Sequence, residues 1–264
     1  MLHTRLCDLL GIEVPIIVAP MGPNITGVDL AAAVSNAGGL GIISFGANPP
    51  PLLREQIQRL RELTDRPFGV NFILEFPVED HVAVCIEEKI PVLSFFWGDP
   101  SPYVDQAHAA GLKVFDQVGS VKEDERSARA GVDVIIAQGL EASEEDTVRT
   151  TLFGYGWPNA PHRALRTRFV EEWLQEEARG SEQRSDEPVI GETLLGGQRI
   201  PLLRFMGFPP STDATGDIES MGLLAGQSAG LVREIKPAAD VVRELVEGAQ
   251  RIIEGRLNPA IANN

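Results

Sequence analysis

Short apolar runs alternate with amphipathic stretches along the first half of the chain. The run at 14–19, VPIIVA, is continuous, which is typical of a strand buried on both faces of a parallel sheet. Further along the chain, similar apolar runs recur, and stretches with the hydrophobic period of a helix lie between them. The pattern predicts five more strands, at 40–44, 68–73, 92–96, 113–117 and 132–138.

The first predicted helix has recognisable ends. Thr26 stands three residues before Asp29, which is the spacing of a capping box. Gly38 and Gly39 follow the apolar stretch 30–34, as glycines commonly do at the end of a helix. We therefore expect Thr26 to cap a helix that ends before Gly38.

Six strands in succession, each followed by a polar, glycine or proline break, predict consecutive βα units. Such units close as a (β/α)8 barrel or open as a doubly wound sheet. No G-x-G-x-x-G follows the first strand, which favours the barrel. The predicted fold is α/β, an incomplete TIM (β/α)8-type barrel over 1–142, followed by a mainly helical region over 143–264 that covers it.

The residues at the predicted strand ends are mostly amides and small side chains. In a parallel barrel the chemistry lies at the C-terminal ends of the strands. The candidates there are Ala19, Pro20, Met21, Gly22, Ser44, Asn71, Phe96, Trp97, Gln117, Gln138 and Gly139. A metal hydrolase would need His and carboxylates, and a glycosidase would need two acids. Uncharged amides suit a flat, hydrogen-bonding ligand such as a flavin ring, and the alternative is that each residue merely ends its strand.

Composition and charge argue against several classes of protein. The chain has 264 residues, with 23 Lys and Arg against 38 Asp and Glu, so its formal net charge is −15. This balance argues against a nucleic-acid partner and against an anionic membrane surface. No apolar run approaches the ~20 residues of a membrane span, and an acid at position 8 interrupts any signal sequence. Two cysteines make neither a disulfide framework nor a zinc site, so we expect a cytoplasmic enzyme without a metal.

Several separated motifs then stand in a recognisable order. The segments at 14–21, 31–41, 64–71 and 131–142 read VPIIVAPM, AAAVSNAGGLG, TDRPFGVN and GVDVIIAQGLEA, and 221–230 reads MGLLAGQSAG. Together they resemble the nitronate monooxygenase family, formerly called 2-nitropropane dioxygenases. The resemblance is close over 1–142 and looser over 143–257.

The resemblance implies an FMN-binding (β/α)8 barrel with an added helical domain. Members oxidise alkyl nitronates with dioxygen to a carbonyl compound and nitrite, and a related branch reduces enoyl thioesters of acyl carrier protein. Carried over by motif, the segment 19–22 would lie against the flavin ring, and Asn71 and Gln138 would hydrogen-bond it. Gln117 occupies a position where some members have lysine, and Gly139 completes the candidate cofactor-binding set.

The chain also departs from the family pattern. After the residue that corresponds to Ala142, the family continues with Gly-Gly-His, whose His is the catalytic base or orients the substrate. Two further βα units then complete the barrel and the FMN phosphate site. Here 143–147 reads SEEDT, which resembles the region beyond the eighth strand. The resemblance therefore implies that the seventh and eighth βα units, the phosphate anchor and the catalytic His are absent.

None of the four histidines obviously replaces the family residue. His81 and His108 are predicted on outer helices, and His3 lies in the N-terminal tail. His162 lies in a predicted loop of the second half that could approach the strand ends. It is the candidate for the catalytic position.

Three functions follow from these features. The first is an FMN-dependent nitronate monooxygenase acting on a small-molecule nitronate and dioxygen. The alternatives are a non-catalytic remnant or binding protein and an enoyl thioester reductase, whose NAD(P)H site the sequence does not locate. Six strands leave parallel edges open, so either the helical region plugs the gap or a second copy does, which would make a homo-oligomer.

Overall fold

The structure is a computed structural model that divides into two compact units. It describes residues 2–22, 25–45, 49–119, 121–138, 147–156, 160–182, 184, 186–195, 198–226, 232 and 234–257. The first unit comprises Met1–Gln138 and Lys236–Asn264, and the second comprises Gly139–Ile235.

The first unit alternates helices and strands. Its elements are α1 (Arg5–Leu10), α2 (Val28–Asn36), β1 (Gly41–Ser44), α3 (Pro50–Leu63), β2 (Phe68–Ile73), α4 (Glu79–Glu87), β3 (Val92–Phe96), α5 (Ser101–Ala109), β4 (Lys113–Val118), α6 (Val121–Ala130) and β5 (Val134–Ala137). Those of the second are β6 (Thr147–Thr150), β7 (His162–Leu165), α7 (Arg168–Trp173), β8 (Val189–Leu195), β9 (Gln198–Leu203) and β10 (Thr215–Gly216). Helix α8 (Ala238–Ile252) then returns to the first unit.

The five strands of the first unit form one parallel sheet in the order β1-β2-β3-β4-β5. Sequential parallel strands joined by helices are the arrangement of a (β/α)8-type barrel, of which the described residues form five paired strands. The α/β prediction is confirmed, and the strands expected from 40 to 138 lie within a few residues of the observed ones.

The first predicted strand, 14–19, is reduced to a single parallel bridge between Ile17 and Leu40. Leu40 N–H donates to the carbonyl of Ile16 at 2.8 Å, and Val18 N–H donates to the carbonyl of Leu40 at 3.0 Å. Pro15 has no N–H to extend this ladder. The segment therefore adds a sixth, rudimentary position to the sheet edge beside β1.

Two apolar cores lie on opposite faces of the sheet. The outer core joins the strands to helices α2–α5 and includes Ile43, Val70, Leu93 and Val114. The inner core contains Leu40, Ile42, Val92 and Phe115, together with Cys7 and Leu10 of α1. Because inner-core residues lie near the starts of the strands, α1 closes the N-terminal end and leaves the C-terminal end for other contacts.

The second unit has a different architecture. Strands β6 and β7 pair antiparallel, and β10-β8-β9 form an antiparallel sheet. Its core consists of Leu152, Phe153, Ala164, Phe169, Val170 and Phe205. Within the described parts of both units, no helix combines the length and apolar character that a membrane span requires.

These strands correct the secondary structure expected over 143–264, which was mainly helical. The sequence carries a hairpin signal, since VIGETLL and QRIPLL flank Gly-Gly at 196–197. Both strands are largely exposed or half-buried, so they lack the apolar pattern from which the strands of the first half were predicted. That this region covers the barrel stays a prediction.

Replacement of Gly41 by alanine should strongly destabilise the first unit. A Cβ at Gly41 would lie 2.0 Å from the carbonyl oxygen of Ala31, in the backbone of α2. Helix α2 would have to move, and we expect the free energy of unfolding to fall by about 3 kcal/mol. Urea unfolding followed by circular dichroism measures this change.

The matched control is Gly119→Ala. There the nearest atom to a new Cβ is a carboxylate oxygen of Glu123 at 3.7 Å, an ordinary contact. We expect its free energy of unfolding to change by less than about 1 kcal/mol. Equal unfolding midpoints for the two variants would contradict the close approach of β1 to α2.

Candidate functional site

A buried polar level lies above the inner core at the C-terminal half of the sheet. Ser44, Asn71 and Ser94 are register partners on β1, β2 and β3, and all three are buried. Strand alternation places them on the same face as Ile42 and Val92 of the inner core. The sheet therefore presents uncharged hydroxyl and amide groups at this level.

Asn71 has one side of its amide satisfied and one side open. The Ser94 hydroxyl donates to Asn71 Oδ1 at 2.9 Å. Asn71 Nδ2 donates to no side chain or carbonyl of the described residues, although the residue is only 4% exposed. An amide nitrogen carries two donor hydrogens, so this group is able to donate to a ligand at the polar level.

Gln117 and Gln138 meet at the same end of the sheet. Gln117 is the register partner of Phe96 on β3, and Gln138 extends β5 by donating its N–H to the carbonyl of Val118 at 2.9 Å. Gln117 Nε2 donates to Gln138 Oε1. Within the described part of the chain, this leaves Gln117 Oε1 as a spare acceptor and Gln138 Nε2 as a spare donor.

The loop that contains Ala19, Pro20, Met21 and Gly22 is held by Thr26, a residue that sequence analysis assigned to helix capping. The fully buried Thr26 hydroxyl donates to the carbonyl of Ala19 at 2.8 Å and accepts from Met21 N–H at 3.0 Å. The observed N-cap of α2 is Gly27. The spacing to Asp29 identified the right threonine, but its hydroxyl fixes the loop rather than the helix.

Gly22 brings this loop directly against the polar level. A Cβ at Gly22 would lie 2.5 Å from Ser44 Oγ, so a larger residue would force the Ser44 hydroxyl to turn away. Ser44 N–H also donates to the carbonyl of Thr26 at 3.0 Å. Met21 is 42% exposed, and its backbone rather than its side chain is fixed. The structure thus joins the 19–22 loop to β1, whereas Gly139 lies outside the described residues.

The carboxylate on β4 faces away from this level. Asp116 on β4 lies on the outer face, where the Ser127 hydroxyl of α6 donates to it. Burial raises the pKa of the Asp116 carboxyl, and the hydrogen bond from Ser127 opposes the rise.

In the part of the chain that the structure describes, no group of three His, Cys, Asp or Glu side chains is arranged to hold a metal ion.

The histidines of the first unit are engaged outside the polar level. His81 of α4 lies between the rings of Phe45 and Phe72, with centroids at 5.6 and 5.9 Å. His108 of α5 pairs with Asp133 at 2.8 Å. His3 forms a similar contact with Asp8, also at 2.8 Å. The positions of His81 and His108 on outer helices are as the sequence predicted.

His162 belongs to the second unit, on β7 rather than in a loop. It lies opposite Thr150 of β6, and its Nδ1 is buried with no hydrogen-bond partner among the described residues. Desolvation lowers the pKa of the imidazole, and a backbone hydrogen bond at Ala160 partly opposes this effect. A role at the strand ends stays a prediction for this residue.

Comparison with known proteins finds a family resemblance in the N-terminal part of the chain. A sequence model described as nitronate monooxygenase matches residues 3–82, which contain the Thr26-clamped loop and Asn71. Over this segment the chain is similar to the nitronate monooxygenase family.

Individual relatives extend the match. Nitronate monooxygenase from Paraburkholderia phytofirmans is 32% identical over 177 residues, covering 52% of this chain and 48% of that protein. A Rhodococcus jostii protein is 33% identical over 153 residues, covering 57% and 43%. It is named (3aS,4S,5R,7aS)-5-hydroxy-7a-methyl-1-oxo-octahydro-1H-indene-4-carboxyl-CoA dehydrogenase. The chain spans about half the length of the curated relatives it matches.

Solved structures resemble the chain over nearly its whole length. FabK from Thermotoga maritima superposes with a TM-score of 0.73 at 28% identity, covering 97% of this chain and 98% of FabK. Nitroalkane oxidase from Streptomyces ansochromogenes superposes with a TM-score of 0.68 at 20% identity, covering 97% and 99%. The second likeness, at 20% identity, supports the fold alone.

We predict that His162 titrates below its ordinary pKa of 6.5, because burial favours the neutral imidazole. The folded state then binds its proton less readily than the unfolded state. Stability should therefore be fully present above pH 6.5 and fall as the pH drops from 6.5 through the folded pKa. An NMR pH titration, with His162→Gln to assign the signal, measures the midpoint; a value at or above 6.5 would contradict the burial.

Proposed function

We propose that this chain binds a flavin, FMN by family resemblance, at the C-terminal ends of β1–β5, and that it oxidises alkyl nitronates with dioxygen to a carbonyl compound and nitrite. The observation that carries the proposal is the buried polar level with an unpartnered amide nitrogen on Asn71. The similarity of residues 3–82 to the nitronate monooxygenase family supports the same assignment.

The residues present fit the ring of a flavin. The pyrimidine edge of the ring carries two carbonyl oxygens and one N–H, so it needs both donors and an acceptor. Asn71 Nδ2 and Gln138 Nε2 are spare donors, and Gln117 Oε1 is a spare acceptor. Ala19 and Gly22 are small enough for a flat ring to approach the clamped loop closely.

The fit does not extend to the phosphate of FMN. Among the described residues, the inward-facing ends of β1–β5 carry no lysine or arginine. In barrels of this type, phosphate is commonly held after the seventh and eighth strands, which the resemblance indicates are absent here. The ring is thus the part of the cofactor that this chain can orient.

The chain's own residues would act by orientation. A bound flavin would supply the redox chemistry between the substrate and dioxygen. Ser94 fixes the Asn71 amide so that Nδ2 points to the ligand, and Thr26 fixes the backbone of the 19–22 loop. A nitronate is already deprotonated at carbon, so the substrate needs no base at this site. A neutral nitroalkane, by contrast, would need one.

A second candidate is a redox enzyme acting on a thioester, in line with the reductase branch of the family. The Rhodococcus jostii relative favours it, because its name specifies a carboxyl-CoA substrate. Such an enzyme would exchange electrons with a nicotinamide or another carrier instead of dioxygen. The choice between the two candidates depends on the electron partner and not on the fold.

FMN titration of the full chain tests the site. We expect FMN fluorescence to be quenched on binding, and Asn71→Leu to weaken binding by at least about tenfold, because the donor is lost at nearly constant volume. The matched control is Asn36→Leu, since the Asn36 amide bonds Leu63 and Thr64 on the outer side of α2. Absence of FMN binding by the wild type would refute the proposal, and equal affinities for wild type and Asn71→Leu would refute the site.

Product analysis separates the candidate reactions. With FMN bound, propane-2-nitronate and dioxygen should yield nitrite, and 2-nitropropane kept neutral should yield at least about tenfold less. The second candidate predicts NAD(P)H consumption with crotonyl-CoA and no nitrite. FMN binding with neither reaction would contradict both enzymes and leave a flavin-binding protein.

A further inference from the structure

Helix α8 carries two apolar stripes, and the fold of the first unit buries only one of them. Val242 and Val246 are buried in a core cluster that they share with α2 and with the segment 14–18. Three further apolar side chains of the same helix are between 40% and 54% exposed: Val241, Leu245 and Ile252. At 3.6 residues per turn, this second stripe lies about a quarter of a turn from the first. The helix therefore presents an apolar strip to solvent beside the face that packs on α2.

The exposed strip has the spacing of a coiled-coil seam. Its members recur at intervals of four, three and four residues, as the a and d positions of a heptad do. Side chains at this spacing pack between the residues of a second helix. We call these residues the seam: Val241, Leu245, Gly248 and Ile252.

No neighbour of Gly248 among the described residues requires a glycine. A Cβ at this position would meet only the guanidinium of Arg251, at 3.9 Å, which is an ordinary contact. A glycine inside a helix nevertheless destabilises the helix relative to alanine. In an antiparallel pair of α8 helices, a positions face d positions, so Gly248 would lie opposite Leu245 of the second copy. The glycine then provides the space that this leucine fills.

The same antiparallel alignment brings opposite charges together beside the seam. Glu244 and Arg251 both flank it, on the side away from the core. When Leu245 faces Gly248 of the second copy, Glu244 faces Arg251 of that copy, and two-fold symmetry repeats the contact. The Arg251 side chain is 72% exposed, and that of Glu244 is 58% exposed although it accepts from Lys236 at 2.7 Å. A parallel pair would instead place Glu244 beside Ala249, with no charge to meet.

Net charge favours a second copy of this chain as the occupant of the seam. The whole chain carries −15, which opposes contact with anionic surfaces and acidic partners. Over Ala238–Ile252, however, three acids stand against two arginines, so the helix itself is nearly neutral. A second α8 can therefore approach here without the repulsion that acts over the rest of the chain.

We propose that α8 is a self-association surface, through which two copies of this chain form an antiparallel pair with two-fold symmetry. Leu245 of each copy packs against Gly248 of the other, and Glu244 of each pairs with Arg251 of the other. The surface lies at the β1 side of the sheet, because α8 packs on α2 and on the segment 14–18. One helix pair is a small interface, so the dissociation constant should be on the order of 10 μM.

Sedimentation of the full chain over a range of about 1 to 500 μM tests the proposal. We expect a monomer–dimer equilibrium that Leu245→Gln weakens by at least about tenfold, because an apolar side chain leaves the seam. The matched control is Leu63→Gln, which removes a leucine that is 41% exposed at the end of α3. This control should leave the dissociation constant unchanged.

Gly248→Gln separates the seam from general effects on folding. Glutamine is a better helix former than glycine, so the melting temperature of the dilute monomer should rise. Its side chain occupies the space of Leu245 from the second copy, so association should weaken by at least about tenfold. Opposite effects on the monomer and on the dimer do not arise from partial unfolding.

A charge exchange tests the antiparallel alignment. At low salt, Glu244→Arg and Arg251→Glu should each weaken association, because like charges then meet across the pair. The double variant should return the dissociation constant to within about threefold of the wild-type value. The matched control is Arg243→Glu, since Arg243 pairs with Asp240 on the opposite side of α8, and association should not change.

Each contrary result is distinct. A wild-type chain that stays monomeric over the whole range, or a dimer that Leu245→Gln and Gly248→Gln leave intact, overturns the inference. A monomer that binds vesicles of anionic lipid through the seam also overturns it. A dimer that both seam variants weaken and the double charge exchange does not restore overturns the antiparallel pairing. Since FMN takes no part in these measurements, the outcome is independent of the proposed function.

Discussion

Side chains of a β-strand alternate between two faces, so a shift of one residue would exchange everything that β2 presents inward for everything it presents outward. The parallel register prevents that shift, because Asn71 pairs with Ser44 on one side and Ser94 on the other. Close packing reinforces the register. Helix α2 lies so close to Gly41 that a residue with a Cβ does not fit there. The inner core and the polar level above it both follow from this single alignment.

The polar level is uncharged because a buried charge at that position would need a partner, and none is built into the sheet. The second unit shows the alternative solution. There the buried carboxylate of Glu187 is paired with Arg179 at 2.9 Å and Arg204 at 2.7 Å, and Arg204 also lies 4.7 Å from the Trp173 ring. In the first unit the Ser94 hydroxyl donates to the Asn71 amide oxygen, and none of the described residues is seen to place a counter-ion beside it. Such a level accommodates a neutral heterocycle better than an ion.

The sequence predicted the strands well because buried parallel strands read as continuous apolar runs, and their ends then located Asn71, Gln117 and Gln138. The sequence could not predict the hydrogen bonds that fix the loop and the Asn71 amide, since these join residues that are far apart in the chain or in different elements. The spacing of Thr26 from Asp29 is also that of a helix cap. The Thr26 hydroxyl instead bonds the 19–22 loop, because the fold places that loop beside it. The hairpin of β8 and β9 was missed because its exposed strands lack apolar alternation. His162 was expected in a loop, and the ladder to Thr150 places it in a strand.

The incomplete sheet has a consequence for how a ligand would be held. β2 is buried along nearly its whole length, whereas β5, the last strand, is half-buried at Val134 to Ile136 and exposed at Ala137. Beyond it, Gln138 is exposed. A hydrogen bond in a water-excluded environment contributes more than one that competes with solvent. Asn71 would therefore contribute more to ligand affinity than the Gln117–Gln138 pair, unless a second copy of the chain covers the β5 edge. A homo-oligomer stays a prediction. Its effect at this site would be to bury Gln138, which is exposed in the single chain.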